Sequence, residues 1–147
     1  MKQALTFLSF ILCSTVISAQ LIKEADVPFA VMDKFTLLYP DAKSILWEIK
    51  GDKYVADFRN DKMETSAILM ADGTVVRTET EIKIIALPEA ATAYLKMNFE
   101  SRKIEETRIT EDQAGIITFK AMVDDMDYTF DSNGQLIATD QVVIGSR

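Results

Sequence analysis

Apolar residues in the first part of the chain follow a helical spacing. From residue 27 onward they recur every three or four positions, which places them on one face of a helix. The members of this stripe are Val27, Val31, Phe35 and Leu38. Pro28 suits the first turn because it lacks the N–H that would be unpaired there, and Asp26 is a candidate N-cap. Pro40 ends the predicted helix at Tyr39.

The spacing then changes to every second residue, which is typical of strands with one buried face. Four strands are predicted, over residues 45–50, 54–59, 64–70 and 75–82. The turns between them are predicted at Gly51-Asp52, Asn60-Asp61 and Asp72-Gly73. The Asp-Gly dipeptide favours a type I′ hairpin because both residues tolerate a positive φ.

The same order of patterns returns about 60 positions later. Pro88 follows Pro28 by 60 residues, and Gly134 of Asn133-Gly134 follows Gly73 by 61. A second helical stripe is formed by Leu87, Ala91, Tyr94, Leu95 and Phe99. Four more strands are predicted over residues 103–110, 116–123, 127–130 and 136–143. Such self-similarity predicts a repeat architecture.

These patterns predict an α+β fold of two tandem repeats, about 27–82 and 87–143. Each repeat is one helix followed by a four-stranded antiparallel meander. The repeats are expected to join into one curved sheet with the helices on one face and the other face open to water. Residues 20–147 form a single predicted domain, since half of it would be too small for a self-sufficient core.

Residues 1–19 resemble a cleaved signal peptide. Lys2 provides a basic start, Ala4 to Val16 is mostly apolar, and Ala19 is a small residue at the cleavage position. The apolar run is shorter than the roughly 20 residues needed to span a bilayer. Export to the periplasm with cleavage after Ala19 and no membrane insertion of the mature chain is therefore expected.

Composition excludes several chemistries. The sequence contains no histidine, and its one cysteine, Cys13, lies in the predicted signal peptide. A Ser-His-Asp or Cys-His nucleophile and an ordinary zinc site are thus excluded from the mature chain. Loss of Lys2 leaves 15 basic and 23 acidic residues, a net charge of −8, which argues against nucleic acid as a partner.

The order of these motifs resembles the PepSY-like, beta-lactamase-inhibitor-like family of exported bacterial proteins. The resemblance covers nearly all of the mature chain. It rests on Val27-Pro28, Tyr39-Pro40-Asp41-Ala42, Trp47-Glu48, residues 54–58, Asp72-Gly73, Thr78-Glu79 and Leu87-Pro88. The second copy departs from it, with Phe99-Glu100 in place of Tyr-Pro and Thr107 in place of Trp47. The resemblance implies a periplasmic double-repeat protein, inhibitor-like or calcium-regulated, and carries over no catalytic residue.

Three sets of residues are candidates for function. The acidic turns contain Asp124, Asp125, Asp127 and Asp131, and carboxylate oxygens are the ligands that calcium prefers. The alternative is that these residues are solvated and occur there because aspartate favours turns. Trp47 is a candidate interface residue, although its alternation with Ile45 and Ile49 favours the core. Glu79 and Glu81 share a strand face as a glycosidase pair would, but such acids are common on a wet sheet face.

The predicted function is a non-enzymatic periplasmic binding module. Its open sheet face would contact an unknown protein or peptide in an inhibitor-like manner, without a cofactor. A large exposed apolar or aromatic patch on that face would favour this function. The alternative is a calcium-responsive envelope protein with the cation bound by the acidic turns.

Overall fold

The computed structural model describes residues 19–141, which fold as an α+β protein with nine strands and two helices. The first half contains β1 (Ala19–Ile22), a 3₁₀ helix (Glu24–Asp26), α1 (Phe29–Leu38), β2 (Lys43–Lys50), β3 (Lys53–Asn60), β4 (Met63–Met70) and β5 (Val75–Glu81). The second half contains a 3₁₀ helix (Ile84–Ala86), α2 (Glu89–Phe99), β6 (Ile104–Asp112), β7 (Ile117–Val123), β8 (Met126–Phe130) and β9 (Leu136–Gln141).

The strands form one open antiparallel sheet in chain order from β1 to β9. The two halves meet where β5 pairs with β6, from Arg77 opposite Asp112 to Glu81 opposite Arg108. The predicted α+β class, the antiparallel sheet and the two helices are confirmed. The repeat relationship of the halves and the curvature of the sheet stay predictions, and the predicted signal peptide lies outside the described residues.

Both helices cover the same face of the sheet. On β3, Ala56 and Phe58 pack in the α1 cluster, whereas Val55 and Asp57 alternate onto the other face. In the second half, Ala121 packs in the α2 cluster. We call the uncovered face, to which Val55 and Asp57 belong, the open face. The prediction that one face is covered by helices and one is open is therefore confirmed.

Each helix packs over its own hydrophobic cluster. The α1 cluster contains Val27, Val31, Phe35, Trp47, Ala56, Phe58, Ala67 and Leu69. The α2 cluster contains Leu87, Ala91, Leu95, Ala121, Val123 and Phe130. The helical stripes are largely as predicted, except that Leu38 is exposed and the half-buried Tyr39 packs against the α1 cluster instead. Asp26 is not the N-cap, because it lies in the 3₁₀ helix and Pro28 takes the cap position without a side-chain bond.

The prediction of a type I′ turn at Asp72-Gly73 is wrong. At Asp72-Gly73 only the glycine has a positive φ, and the Gly73 N–H donates to the Met70 carbonyl at 2.9 Å. This is a three-residue turn in which the glycine alone is left-handed. Asn133-Gly134 forms the same turn. Two positive φ angles occur instead at Asp61-Lys62 and Asp124-Asp125.

Within residues 19–141, neither helix combines the length and the apolar character that crossing a lipid bilayer would require.

Candidate functional site

The open face carries a network of charged side chains where β5 and β6 meet. Glu79 lies at its centre, with Oε1 2.8 Å from Arg77 Nε and Oε2 3.8 Å from the Arg108 guanidinium. Arg108 is also ion-paired with Glu106 on its own strand. Since the Glu79 side chain is only 14% exposed, these charges interact in a partly desolvated setting and hold each other in fixed positions.

Two acid oxygens in this face are buried without a hydrogen bond, namely Glu48 Oε2 and Glu79 Oε1. Each nevertheless lies at ion-pair distance from a cation, since Lys50 Nζ is 3.1 Å from Glu48 Oε2. These contacts are ion pairs whose geometry is not that of a hydrogen bond. The acids of the network are therefore balanced by Lys and Arg rather than by backbone donors.

A shallow groove of about 580 Å³ runs across the open face. It is lined by six acidic and four basic side chains. They are Asp57, Glu64, Glu79, Glu81, Glu106, Asp127, Lys50, Arg77, Arg108 and Lys120. The surface therefore offers both signs of charge in a fixed pattern, with an excess of acid.

Exposed apolar side chains on the open face occur outside the groove, within residues 19–141. They are Leu21 on β1, opposite Glu48, and Leu46 on β2, opposite Asp57. The apolar side chains that line the groove, Val55, Ile68 and Met122, are at most 8% exposed. The described aromatic side chains other than Phe29 belong to the α1 and α2 clusters on the helix side. The groove is thus a charged surface over a thin apolar layer.

Asp127 lies at one end of this groove, 4.0 Å from Lys120 Nζ. Partial burial raises the pKa of its carboxyl above the ordinary value. Lys120 opposes the rise, whereas the Glu106 and Glu79 carboxylates add to it. The ionised form of Asp127 is therefore less favoured than that of a solvated aspartate.

The structure distributes the four predicted calcium ligands over both ends of β8. Asp124 and Asp125 form the turn before the strand, and Asp131 follows its other end. At about 3.3 Å per residue, Asp125 and Asp131 are roughly 20 Å apart along the strand. Asp127 is on the open face between them. The four carboxylates therefore do not converge on one point.

Two of these acids also form contacts with neighbouring residues. Asp124 is ion-paired with Arg102, and Asp131 Oδ1 accepts hydrogen bonds from the N–H groups of Asn133 and Gln135, each at 2.9 Å. These are the backbone roles that favour aspartate in turns. Within residues 19–141, no three Asp, Glu, His or Cys side chains are grouped so that they could hold a metal ion.

Trp47, the candidate interface residue, lies in the α1 cluster. It is 3% exposed, and its ring is 5.1 Å from that of Phe35 in an edge-on arrangement. Its indole nitrogen is buried without a hydrogen-bond partner among the described residues. The burial agrees with the core alternative that the alternation of residues 45–49 favoured.

Sequence reasoning did not identify the ion network as the feature of the open face. Its trace in the sequence is the alternation of charge at every second position, Arg77-x-Glu79-x-Glu81 on β5 and Glu106-x-Arg108 on β6. That alternation places each set on one face of a strand. The opposite charges meet because β5 and β6 are neighbours in the sheet, although α2 lies between them in the sequence.

Comparison with solved structures finds this fold in several proteins of Bacteroides. A BLIP-like protein from Bacteroides fragilis matches with a TM-score of 0.67 and 29% identity, over 80% of this chain and 87% of that one. A candidate periplasmic protein from Bacteroides eggerthii matches with a TM-score of 0.73 and 19% identity, over 82% and 93% of the two chains. A DUF2874 family protein from Bacteroides uniformis gives a TM-score of 0.71 at 17% identity, over 78% and 89%.

The chain therefore shares the fold of BLIP-like and DUF2874 proteins. No protein-family model and no curated protein matches its sequence.

Proposed function

We propose that this protein is a non-enzymatic, inhibitor-like binding module of the periplasm, and that its open face contacts a partner protein. The observation that carries the proposal is the charged groove on the sheet face that the helices leave uncovered. Fixed charges of both signs select a partner of complementary pattern and raise its rate of association. The similarity to a BLIP-like protein at 29% identity supports a protein-binding role.

The periplasmic location rests on the sequence of residues 1–19 and on the fold shared with a candidate periplasmic protein. The two tandem repeats and the PepSY-like part of the resemblance belong to the same proposal. In each half, a 3₁₀ helix precedes an α-helix that is followed by four strands, which supports the repeat.

The test uses two charge-reversal variants that differ in the face they alter. Glu64→Lys with Glu81→Lys changes the open face, and Glu89→Lys with Glu100→Lys changes α2 and the residue after it by the same charge. All four side chains are exposed, and thermal melts would check that each variant folds. A partner captured from the native cell envelope by the mature protein would then be titrated against each purified variant.

The open-face variant should bind this partner at least about tenfold more weakly, because like charges then oppose each other across the contact. The α2 variant should bind as the wild type does. Equal affinity of all three proteins, or a loss confined to the α2 variant, would contradict the open face as the binding surface.

Calcium binding by the acidic turns is a second and separate proposal. Because the four carboxylates do not converge, the proposal is limited to a weak site at Asp125, an exposed carboxylate without an ion pair to any described residue. A site with a Kd of roughly 0.1–1 mM would add about 0.4–1.4 kcal/mol to the free energy of unfolding in millimolar calcium. Thermal melts in EDTA and in calcium, repeated with Asp125→Asn, would measure it. An identical melt under both conditions would remove the proposal.

A further inference from the structure

A second groove lies on the helix side of the molecule, away from the open face. It runs between α1, the β4–β5 turn and the β6–β7 loop, and its volume is about 840 Å³. The floor is provided by β5 and by Tyr39 at the end of α1. Beside α2 no equivalent groove can form in the described chain, because the sheet ends at β9 and no further strand supplies a far wall.

The walls of this groove are held in place by close contacts of the backbone. Gly73 in the β4–β5 turn is so near the first turn of α1 that an added Cβ would lie 2.6 Å from the Ala30 carbonyl oxygen. On the far side, the Gln113 N–H donates to the Val76 carbonyl at 2.9 Å and ties the β6–β7 loop to β5. The groove is therefore preformed, which lowers the cost of ordering it around a ligand.

Two large apolar side chains of α1 line the groove and remain in contact with water. Phe29 is 84% exposed, and Leu38 is 44% exposed. Below them the Tyr39 hydroxyl is hydrogen-bonded to Thr78, and burial raises the pKa of this phenol. Exposed aromatic and aliphatic side chains that border a groove offer a contact surface for a ligand.

The charge of the groove is strongly acidic. Its lining contains Asp33, Asp72, Glu111 and Asp112 but a single basic side chain, Lys34. Asp33 and Glu111 form no ion pair with any described residue, in contrast to the paired acids of the open face. The net charge of −3 attracts a cationic ligand, and the apolar side chains favour one that also carries a hydrophobic group.

We propose that this groove binds a short peptide segment of a partner protein, in which two or more Lys or Arg residues flank a large hydrophobic side chain. The hydrophobic side chain would lie against Phe29, at the start of α1. The basic side chains would pair with Asp33 and Glu111. This site is independent of the open face and does not rest on the function proposed for it.

The direct test is a titration of the mature protein with three labelled, end-blocked pentapeptides. One alternates lysine with leucine, the second alternates glutamate with leucine, and the third alternates lysine with serine. Fluorescence anisotropy at low salt should show the lysine-leucine peptide binding at least tenfold more tightly than either other peptide. Its affinity should fall as salt screens the acids. Equal binding of the lysine-leucine and lysine-serine peptides would overturn the apolar part of the proposal.

Matched variants locate the binding. Phe29→Ser should weaken the binding of the lysine-leucine peptide at least tenfold. Met97→Ser, which alters an 85% exposed residue of α2, should leave its affinity unchanged. Asp33→Asn with Glu111→Gln should weaken it at least threefold and reduce its salt dependence. Glu89→Gln with Glu100→Gln should do neither. Equal losses in the groove variants and the α2 variants would overturn the site.

Self-association is the competing use of the same surface. Sedimentation of the mature protein alone should show a monomer at concentrations at which the lysine-leucine peptide binds. An oligomer that Phe29→Ser converts to a monomer would overturn the proposal, because a second copy of this chain would then occupy the groove.

Discussion

The glycine of the β4–β5 turn lies against the backbone of α1. Gly73 has φ +85°, and a Cβ there would meet the Ala30 carbonyl at 2.6 Å. Gly115 has a similar φ of +76° in the same kind of turn, but a Cβ there would meet nothing within 4 Å. An alanine would therefore strain the backbone at both positions, but only at Gly73 would its Cβ also clash with α1.

Gly115→Ala should cost only the strain of a left-handed alanine, roughly 1–2 kcal/mol of the free energy of unfolding. Gly73→Ala should cost about 1–3 kcal/mol more, because the backbone of α1 must shift. Urea titrations of both variants would measure the difference. Equal free energies of unfolding would contradict the close approach of this turn to α1.

Asp127 gives the open face a dependence on pH. Its pKa is raised in the folded state, mainly by burial, so the folded protein binds this proton more tightly than the unfolded chain does. The contribution of Asp127 to stability is then fully present below its unfolded pKa, near 4, and is lost as the pH rises through the folded value.

Asp127→Asn removes that loss and should raise the free energy of unfolding at pH 7, with no gain at pH 3. Asp125→Asn, in the exposed turn beside it, serves as the control for loss of an acid. Urea titrations at the two pH values would test this. A gain for Asp127→Asn at pH 3 but not at pH 7 would contradict the assigned direction.

Helix α1 has ten residues and carries one buried and one exposed phenylalanine. Phe35 is 2% exposed and lies 5.0 Å from the ring of Phe58, whereas Phe29 on the same helix is 84% exposed. Phe35→Ala should therefore cost about 3–5 kcal/mol through lost burial and the cavity left behind. Phe29→Ala should change the free energy of unfolding by less than about 0.5 kcal/mol. Chemical denaturation of the pair would measure both, and similar costs would contradict this orientation of α1.

The helices and most strands could be predicted from the sequence because a single local period marks each of them. Tyr54, Ala56 and Phe58 pack on the helix side, as their spacing at every second position indicates. The turns were less predictable. Asp-Gly is compatible with more than one hairpin, and the pairing of the flanking strands decides which one forms. At Asp72-Gly73 that pairing gives a three-residue turn.

The candidate site depends on contacts that no local pattern contains. Alternation places Glu79 and Arg108 on one face of their own strands, but only the register between β5 and β6 brings them together. The acidic turns show the converse case. Asp125 and Asp131 are close in the sequence, and β8 lies between them and holds them apart.

At the scale of the whole molecule, the described chain contains two hydrophobic clusters connected through one sheet. The junction is the five-residue pairing of β5 with β6. On its helix side, Thr78 and Thr80 of β5 face Glu111 and Ile109 of β6. Each half alone would be marginal in size and would expose β5 or β6 as a new edge. Folding is therefore expected to be cooperative.

A fragment of residues 20–85 should be poorly folded or should self-associate, whereas residues 20–147 should unfold in a single transition. Calorimetry and circular dichroism of the mature chain would test this, and the two methods should give the same transition temperature. Two separated transitions in the mature chain would show that the clusters fold independently.

The central claim is that the partner contacts the open face, and cross-saturation NMR of the complex tests it most directly. Saturation of the partner should reach the methyl groups of Ile68 and Met122, which line the open-face groove. It should not reach Met97, which is 85% exposed on α2. Saturation of Met97 without saturation of Ile68 and Met122 would contradict the account.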